Sequence, residues 1–150
     1  MIVYRITSKK NSTDLSGIGA AIHGGRWNKK GTPVLYTGES KEIALLETIV
    51  HSPPLLVPKL SIVTIEIPED SIKEIPKIKL PKNWVDYPAP TVLSDIAEYW
   101  VQNEETIALK VPSCIIHSAY NYILNCSHPD YNKVKIIKHT DFYFDFRLKK

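Results

Sequence analysis

Residues 34–51, VLYTGESKEIALLETIVH, have the pattern of a strand, a turn and a helix. Residues 34–36 are apolar or aromatic, as in a short strand, and Gly38 provides the turn. A helix is predicted over residues 41–51, with Ser40 as its N-cap. The two prolines that follow this helix, Pro53-Pro54, are expected to end it.

One carboxylate lies on the predicted inner side of this helix. Ile43, Leu46 and Val50 recur at helical spacing and predict the buried side, and Glu47 projects from among them. A carboxylate placed there must be paired, protonated or facing a cavity, because burying it bare is costly. The helix pattern alone fits equally well with a glutamate at the helix edge that reaches water or pairs with an arginine.

The remaining segments predict an α+β domain. Strands are predicted at residues 1–6, 60–67 with a bulge at 62–63, 107–111, 134–137 and 142–148, and a short helix at 94–101. The last strand is predicted from the alternation of Phe142, Phe144, Phe146 and Leu148 with polar residues. Residues 8–33 hold five of the six glycines and are expected to be one long irregular segment, and residues 68–92 a proline-rich connection. Strands outnumber helices without regular alternation, so we expect mostly antiparallel sheet in a single domain, residues 1–150.

Composition argues against several classes of function. The chain has 150 residues, 43% of them hydrophobic and 23% charged, which is typical of a globular protein. The net charge of +3 comes from scattered basic residues, so no direct nucleic-acid binding is expected. Two cysteines and five histidines lack metal-ligand spacing, and no metal is expected. Neither a signal peptide nor a membrane-spanning run of about 20 apolar residues is visible, so we expect a cytoplasmic protein without a membrane contact.

Further polar residues could belong to a site, although each has a plainer interpretation. Arg26 follows Gly24-Gly25, where the backbone can approach a ligand and the guanidinium could bind phosphate, but a turn with an exposed arginine is the favoured interpretation in isolation. Arg5, in the first strand, is either a surface residue or a second anion-binding group. Ser113 follows a proline at a strand end, without the Gly-x-Ser-x-Gly pattern of a nucleophile.

Taken together, the short motifs occur in a known order along nearly the whole chain. They are Tyr4-Arg5-Ile6, Gly24-Gly25-Arg26-Trp27-Asn28, Gly31-Thr32-Pro33-Val34-Leu35-Tyr36, Ala44-Leu45-Leu46-Glu47 through His51, Leu80-Pro81 with Trp84, Leu109-Lys110-Val111-Pro112-Ser113, Asn121-Tyr122 with Asn125, His128-Pro129, and Phe144-Asp145-Phe146-Arg147-Leu148. This order resembles the RES domain, a family named after an arginine, a glutamate and a serine.

The resemblance implies a fold, an activity and a partner. The fold would be similar to the core of the diphtheria-toxin-like ADP-ribosyltransferases. The activity would be that of a toxin of a bacterial toxin–antitoxin pair, which cleaves the nicotinamide–ribose bond of NAD⁺, by hydrolysis or phosphorolysis, and so depletes NAD⁺. The partner would be a helix-turn-helix antitoxin that covers the active site. Whether the chain also forms a homodimer does not follow from the resemblance.

The resemblance also implies roles for individual residues. Arg26, and secondarily Arg5, would bind the phosphates or the ribose edge, and Tyr36 would stack on the nicotinamide. Glu47 would hold a ribose hydroxyl and stabilise an oxocarbenium-like transition state, as in glycoside hydrolysis. Ser113 would orient the nicotinamide or the neighbouring ribose. The predicted catalytic residues are Arg26, Tyr36, Glu47 and Ser113, and the predicted NAD⁺-binding residues are Arg5, Arg26, Asn28, Tyr36 and Asn121.

Three alternatives remain open at the level of the sequence. The same residues would serve an ADP-ribosyltransferase that modifies a protein or another acceptor. A non-catalytic nucleic-acid-binding module would need exposed aromatic residues interleaved with basic ones, and most aromatic residues here fall on predicted core positions. An inactive relative that keeps the fold as an interaction module is the third alternative, and the intact predicted set argues against it.

Overall fold

The computed structural model describes residues 1–51 and 59–148 of the chain, which fold into a seven-stranded sheet with three α-helices. In chain order the elements are β1 (Ile2–Ser8), α1 (Ile18–His23), β2 (Val34–Gly38), α2 (Lys41–His51), β3 (Leu60–Glu66), β4 (Ile72–Glu74), α3 (Thr91–Gln102), β5 (Ala108–Pro112), β6 (Tyr120–Asn125) and β7 (Lys135–Phe142). None of the helices in these two ranges is long and apolar enough to span a membrane.

The strand order across the sheet is β4-β5-β6-β2-β1-β3-β7. Every neighbouring pair is antiparallel except β4 and β5, which run parallel, so the predicted α+β class with mostly antiparallel sheet is confirmed. The two central strands diverge: β1 and β2 are in register at Tyr4 and Gly38, whereas β1 pairs with β3 along its whole length. The gap between β1 and β2 is therefore not closed by a ladder of hydrogen bonds, and α2 crosses beside it.

Apolar residues cover both faces of the sheet. On one face, Val3, Leu35, Ile65 and Leu124 belong to a buried cluster. On the other face, a second cluster joins Trp27 and residues of β2, β5 and β6 to the buried side of α3, including Trp100. Tyr36 of β2 packs against this second cluster. Alternation along each strand explains why neighbouring residues divide between the two faces.

Helix α2 begins at Lys41, as the sequence predicts. The Ser40 hydroxyl accepts a hydrogen bond from the backbone N–H of Ile43 at 3.1 Å, which confirms the N-cap. The buried side is shifted from the prediction, because Ile43 and Ala44 are buried whereas Val50 is 58% exposed. Glu47 still faces inward, since it lies one turn after both buried residues. Pro53-Pro54, the predicted stop, lies outside the described residues.

Several predicted boundaries were wrong. The region 8–33 is not wholly irregular, because it contains α1, and the connection 68–92 contains β4 and the start of α3. Strand β6 was not predicted, although it pairs along its length with both β2 and β5. The bulge in β3 lies between Thr64 and Ile65, two residues after the predicted place.

The predicted last strand, residues 142–148, does not form. One strand, β7, runs from Lys135 to Phe142 in place of two, and Phe146–Leu148 is a 3-10 turn. Asp145 explains the change, because its carboxylate accepts hydrogen bonds from the backbone and the side chain of Arg147 and closes a local turn. Phe142 and Phe144 pack against a small buried cluster, whereas Phe146 is 77% exposed, so the aromatic alternation reflects a buried face only as far as Phe144.

Candidate active site

A cleft of about 490 Å³ opens where β1 and β2 diverge. Five of the predicted site residues line it, from four strands or helices and one loop: Arg5 of β1, Arg26, Tyr36 of β2, Glu47 of α2 and Asn121 of β6. The other two predicted residues, Ser113 and Asn28, lie behind this lining, each in contact with a residue that forms it. The fold therefore gathers the predicted set around one cavity.

Glu47 is held at the cleft through one of its two carboxylate oxygens. Its Oε1 accepts hydrogen bonds from Asn121 Nδ2 at 2.8 Å and from Ser113 Oγ at 3.2 Å. Burial raises the pKa of the Glu47 carboxyl, but contact with His51 and the two hydrogen bonds outweigh it and leave the pKa below its ordinary value. Glu47 is therefore ionised at neutral pH, and its side chain is 24% exposed to the cleft.

Ser113, which follows β5, donates a hydrogen bond to Glu47. Its hydroxyl accepts hydrogen bonds from the backbone N–H groups of Ile115 and Ile116, which leaves its own proton for the Glu47 carboxylate. The residue is 1% exposed. The role predicted from the sequence, to orient the nicotinamide or the neighbouring ribose through this hydroxyl, stays a prediction, and the side-chain partner seen here is Glu47.

Asn121 reaches Glu47 because β6 pairs with β2. The pairing places Asn121 opposite Gly38, at the end of β2 from which the chain turns into α2. A glycine suits this position, because a Cβ there would lie 3.0 Å from the backbone nitrogen of Ala44. The close approach of strand and helix thus brings the Asn121 amide within hydrogen-bond distance of the Glu47 carboxylate.

Tyr36 presents its ring to the cleft while its hydroxyl is fully engaged. The hydroxyl donates to Asn28 Oδ1 at 2.6 Å and accepts from the backbone N–H of Trp27 at 3.1 Å. Burial raises the pKa of Tyr36 to about 12, so the ring stays neutral. Asn28 is 2% exposed, and its amide nitrogen contacts the backbone carbonyls of Ala20, Lys29 and Thr32. Its predicted contact with a ligand stays a prediction, because the contacts seen here serve Tyr36 and the backbone.

The two arginines of the cleft are anchored by backbone carbonyls. Arg26 donates from Nη1 to Trp84 O at 2.7 Å and from Nη2 to Asp86 O at 3.0 Å. Arg5 donates to Asp14 O at 2.7 Å, and burial lowers the pKa of its guanidinium below the ordinary value. Because a guanidinium carries five N–H groups, both side chains keep donors for an anionic ligand.

His51 and Cys114 line the cleft, and neither was predicted as a site residue. His51 lies one helical turn after Glu47, with its Nε2 3.7 Å from Glu47 Oε2, and this i,i+4 spacing was a signal that could have revealed it. Cys114 also lines the cleft, and burial raises the pKa of its thiol. No sequence pattern marks that cysteine. Across residues 1–51 and 59–148 no three His, Cys, Asp or Glu side chains are grouped as metal ligands.

The combination of groups defines a ligand type. Cationic donors at Arg5 and Arg26 suit phosphate oxygens, and the neutral ring of Tyr36 offers a surface for an aromatic group. The ionised Glu47, fixed by two donors, can accept from a hydroxyl and can stabilise a positive charge that develops beside it. A ligand with a pyrophosphate, a ribose and an aromatic base carries all of these features.

Comparison with known proteins identifies several relatives. The family model for the RES domain matches residues 2–145. A Yersinia enterocolitica protein named Toxin Res is 33% identical over 152 residues, which cover 99% of this chain and 100% of the relative. A Photorhabdus laumondii protein of the same name is 37% identical over 154 residues, covering 100% of this chain and 98% of the relative.

Two further matches differ in what their names say. A Sphingobium protein named Prs ADP-ribosylating toxin is 36% identical over 139 residues, which cover 90% of this chain and 86% of that protein. Among solved structures, a chain of the M. tuberculosis MbcT-MbcA toxin-antitoxin complex matches with a TM-score of 0.76 over 94% of this chain and 83% of that one. Because its identity is 16%, this last likeness shows the fold.

Proposed function

The chain belongs to the RES domain family, and from this premise we propose that it is the toxin of a toxin–antitoxin pair and cleaves the bond between nicotinamide and ribose in NAD⁺. Cleavage in the cytoplasm would deplete NAD⁺, with water or phosphate as the acceptor of ADP-ribose. The proposal rests on three relatives named as toxins, each at least 33% identical to this chain over 90% or more of its length, and on the chemistry of the cleft.

One observation carries the proposal: the ionised Glu47 offers its Oε2 to a cleft that also holds two guanidiniums and a tyrosine ring. As nicotinamide leaves, positive charge develops on the ribose ring, and the transition state resembles an oxocarbenium ion. A preorganised carboxylate stabilises that charge without reorganising, because Ser113 and Asn121 already hold its other oxygen.

The remaining residues bind and orient the substrate. Arg26 and Arg5 hold the pyrophosphate through the N–H groups that the carbonyls of Trp84, Asp86 and Asp14 leave free. Tyr36 stacks on the nicotinamide, and the hydrogen bonds of its hydroxyl hold the outer end of its ring in place. Such positioning lowers the barrier because the reacting bond is delivered to Glu47 in one orientation.

An antitoxin is the partner that this function needs, because an unopposed enzyme would exhaust the cell's NAD⁺. The similar solved structure is described as a toxin-antitoxin complex. We propose that a helix-turn-helix antitoxin covers the cleft of this chain, and homodimerisation stays an open alternative.

Transfer of ADP-ribose to a protein is the second candidate function. The observation that favours it is the Sphingobium relative, which is named an ADP-ribosylating toxin and is 36% identical. The same cleft would cleave the same bond in NAD⁺, and the difference would lie in the nucleophile that attacks the ribose. The acceptor therefore decides between the two candidates.

The experiment follows free nicotinamide when the purified chain, free of antitoxin, is incubated with NAD⁺ with and without phosphate. Glu47→Gln should lower the rate by about a hundredfold or more, because the amide keeps an oxygen for Asn121 and Ser113 but loses the charge. Glu42→Gln, an exposed change on the same helix, is the matched control and should retain the wild-type rate.

The outcomes separate the candidates. Nicotinamide release that phosphate accelerates supports phosphorolysis, and release that phosphate leaves unchanged supports hydrolysis. Release that requires added protein, with label from the adenylate part of NAD⁺ appearing on that protein, supports the transferase. If a folded wild type releases none under any of these conditions, the proposed activity is refuted.

A further inference from the structure

The two carboxylate oxygens of Glu47 are in unequal surroundings. Oε1 accepts from both Asn121 and Ser113, so its lone pairs are occupied. Oε2 has a contact to His51 Nε2 at 3.7 Å, which is an ion-pair distance but too long for a hydrogen bond. Oε2 is therefore the oxygen that a substrate hydroxyl can approach, and His51 lies beside it.

His51 is placed to influence Oε2 without being buried. It is the last residue of α2, one turn after Glu47, and it lines the same cleft with its side chain 67% exposed. A small rotation of an exposed imidazole can shorten the 3.7 Å contact to a hydrogen bond, and a positive charge on the ring would favour that movement. The histidine thus competes with a substrate for one oxygen atom.

Other ionisable groups line the same cleft as His51. They are Tyr4 and Arg5 of β1, Asp14 and Arg26 of the segments between β1 and β2, Tyr36 of β2, and Cys114, which follows β5. Glu47 is the acidic group in direct contact with the ring, so the charge on His51 acts chiefly through that carboxylate.

We propose that His51 is a positioning residue for Glu47 that limits the reaction at acidic pH. When the His51 ring is neutral, Glu47 Oε2 accepts a hydrogen bond from the substrate. When the ring is an imidazolium, it donates a hydrogen bond to Oε2, and that oxygen no longer accepts from the substrate. This inference rests on the proposed function, because withdrawing Oε2 slows the reaction only if that oxygen stabilises the ribose. The imidazolium also opposes the cationic nicotinamide and the positive ribose, so both effects slow cleavage.

The first test is the pH dependence of kcat/KM for nicotinamide release. Between about pH 8 and about pH 5.5, kcat/KM of the wild type should fall roughly fivefold. His51→Gln should abolish this dependence, and His51→Lys, charged throughout, should hold the rate near the acidic value over the whole range. His139→Gln, on the exposed strand β7, is the control and should keep the wild-type profile.

The second test does not need activity. The side-chain ¹³Cδ resonance of Glu47 should move in two steps on acidification, one that depends on His51 and one at lower pH when the carboxyl itself is protonated. His51→Gln should remove the first step and retain the second. A first step that persists in this variant, or that is absent from the wild type, overturns the inference.

The two tests keep the inference separate from the proposed function. A wild type that shows the two-step resonance but no nicotinamide release contradicts the function and leaves the coupling between His51 and Glu47 established. Nicotinamide release with the same acidic limb in wild type and His51→Gln supports the function and contradicts the role of His51.

Discussion

Replacing Asn28 by alanine should destabilise the protein far more than a residue in a loop ordinarily does. The buried amide donates to the carbonyl oxygens of Ala20 at 2.8 Å and Thr32 at 3.2 Å, and Asn28 Oδ1 accepts from the Tyr36 hydroxyl at 2.6 Å. At a net value of about 1 kcal/mol for each, these three hydrogen bonds predict a loss of roughly 3 kcal/mol. In a chain of this length, such a loss lowers the Tm by roughly 6–12 °C.

The assay is urea unfolding followed by circular dichroism, with nicotinamide release measured on the same samples. Asn132→Ala, at an exposed position, is the matched control and should change the free energy of unfolding by less than about 0.5 kcal/mol. The reasoning is refuted if Asn28→Ala raises the KM for NAD⁺ and leaves the free energy of unfolding unchanged. That result would make Asn28 a ligand contact rather than a support for Tyr36.

A double-mutant cycle isolates the bond between the two side chains. Tyr36→Phe removes the hydroxyl that donates to Asn28 Oδ1, so this variant and Asn28→Ala lose the same 2.6 Å hydrogen bond. The double variant should therefore be about 1 kcal/mol more stable than the two separate losses would give if added. Losses that simply add would show that this contact does not contribute to stability.

Two further substitutions test the geometry of the cleft. Gly25→Ala would place a Cβ 2.7 Å from the Tyr36 hydroxyl oxygen, so the ring must shift and kcat/KM should fall at least about tenfold, whereas Gly19→Ala, with nothing within 4 Å, should retain the wild-type value. Ser113→Ala removes a hydrogen bond that helps to keep the pKa of Glu47 below its ordinary value. The pKa of Glu47 should rise, so the loss of activity that follows protonation of the Glu47 carboxyl itself should begin at higher pH, and kcat should fall by about tenfold with little change in KM. An unshifted acidic limb, or a change confined to KM, would contradict this role of Ser113.

Local patterns predicted the elements whose signals lie within a few residues. The strand, turn and helix of residues 34–51 formed with the Ser40 cap, because capping and helical periodicity depend on neighbours three or four positions away. Glu47 was placed on the inner side of α2 for the same reason. Val50 was misplaced, since the partner that a helix side meets is set by the sheet and not by the spacing.

Strand β6 was missed because its local signal is weak. Its six residues, YNYILN, alternate poorly, since the strand lies in the middle of the sheet with apolar clusters on both faces. The prediction for the final segment was wrong for the opposite reason. The alternation of Phe142, Phe144 and Phe146 is typical of a strand, but the pairing of β7 with β3 ends at Phe142. Hydrogen bonding to a neighbouring strand decides a strand's length, and periodicity does not report that neighbour.

The class of the fold and the family could be predicted from the sequence, because both depend on the types of residue and their order along the chain. The assembly of the site depends on the tertiary structure. Ser113 and Asn121 lie 66 and 74 residues from Glu47, and the pairing of β6 with β2 and β5 brings both to one oxygen of its carboxylate. Hydrogen bonds over such separations leave no periodic trace in a sequence. The strand order, which local signals do not encode, therefore determined which atom of Glu47 is held and which is free to react.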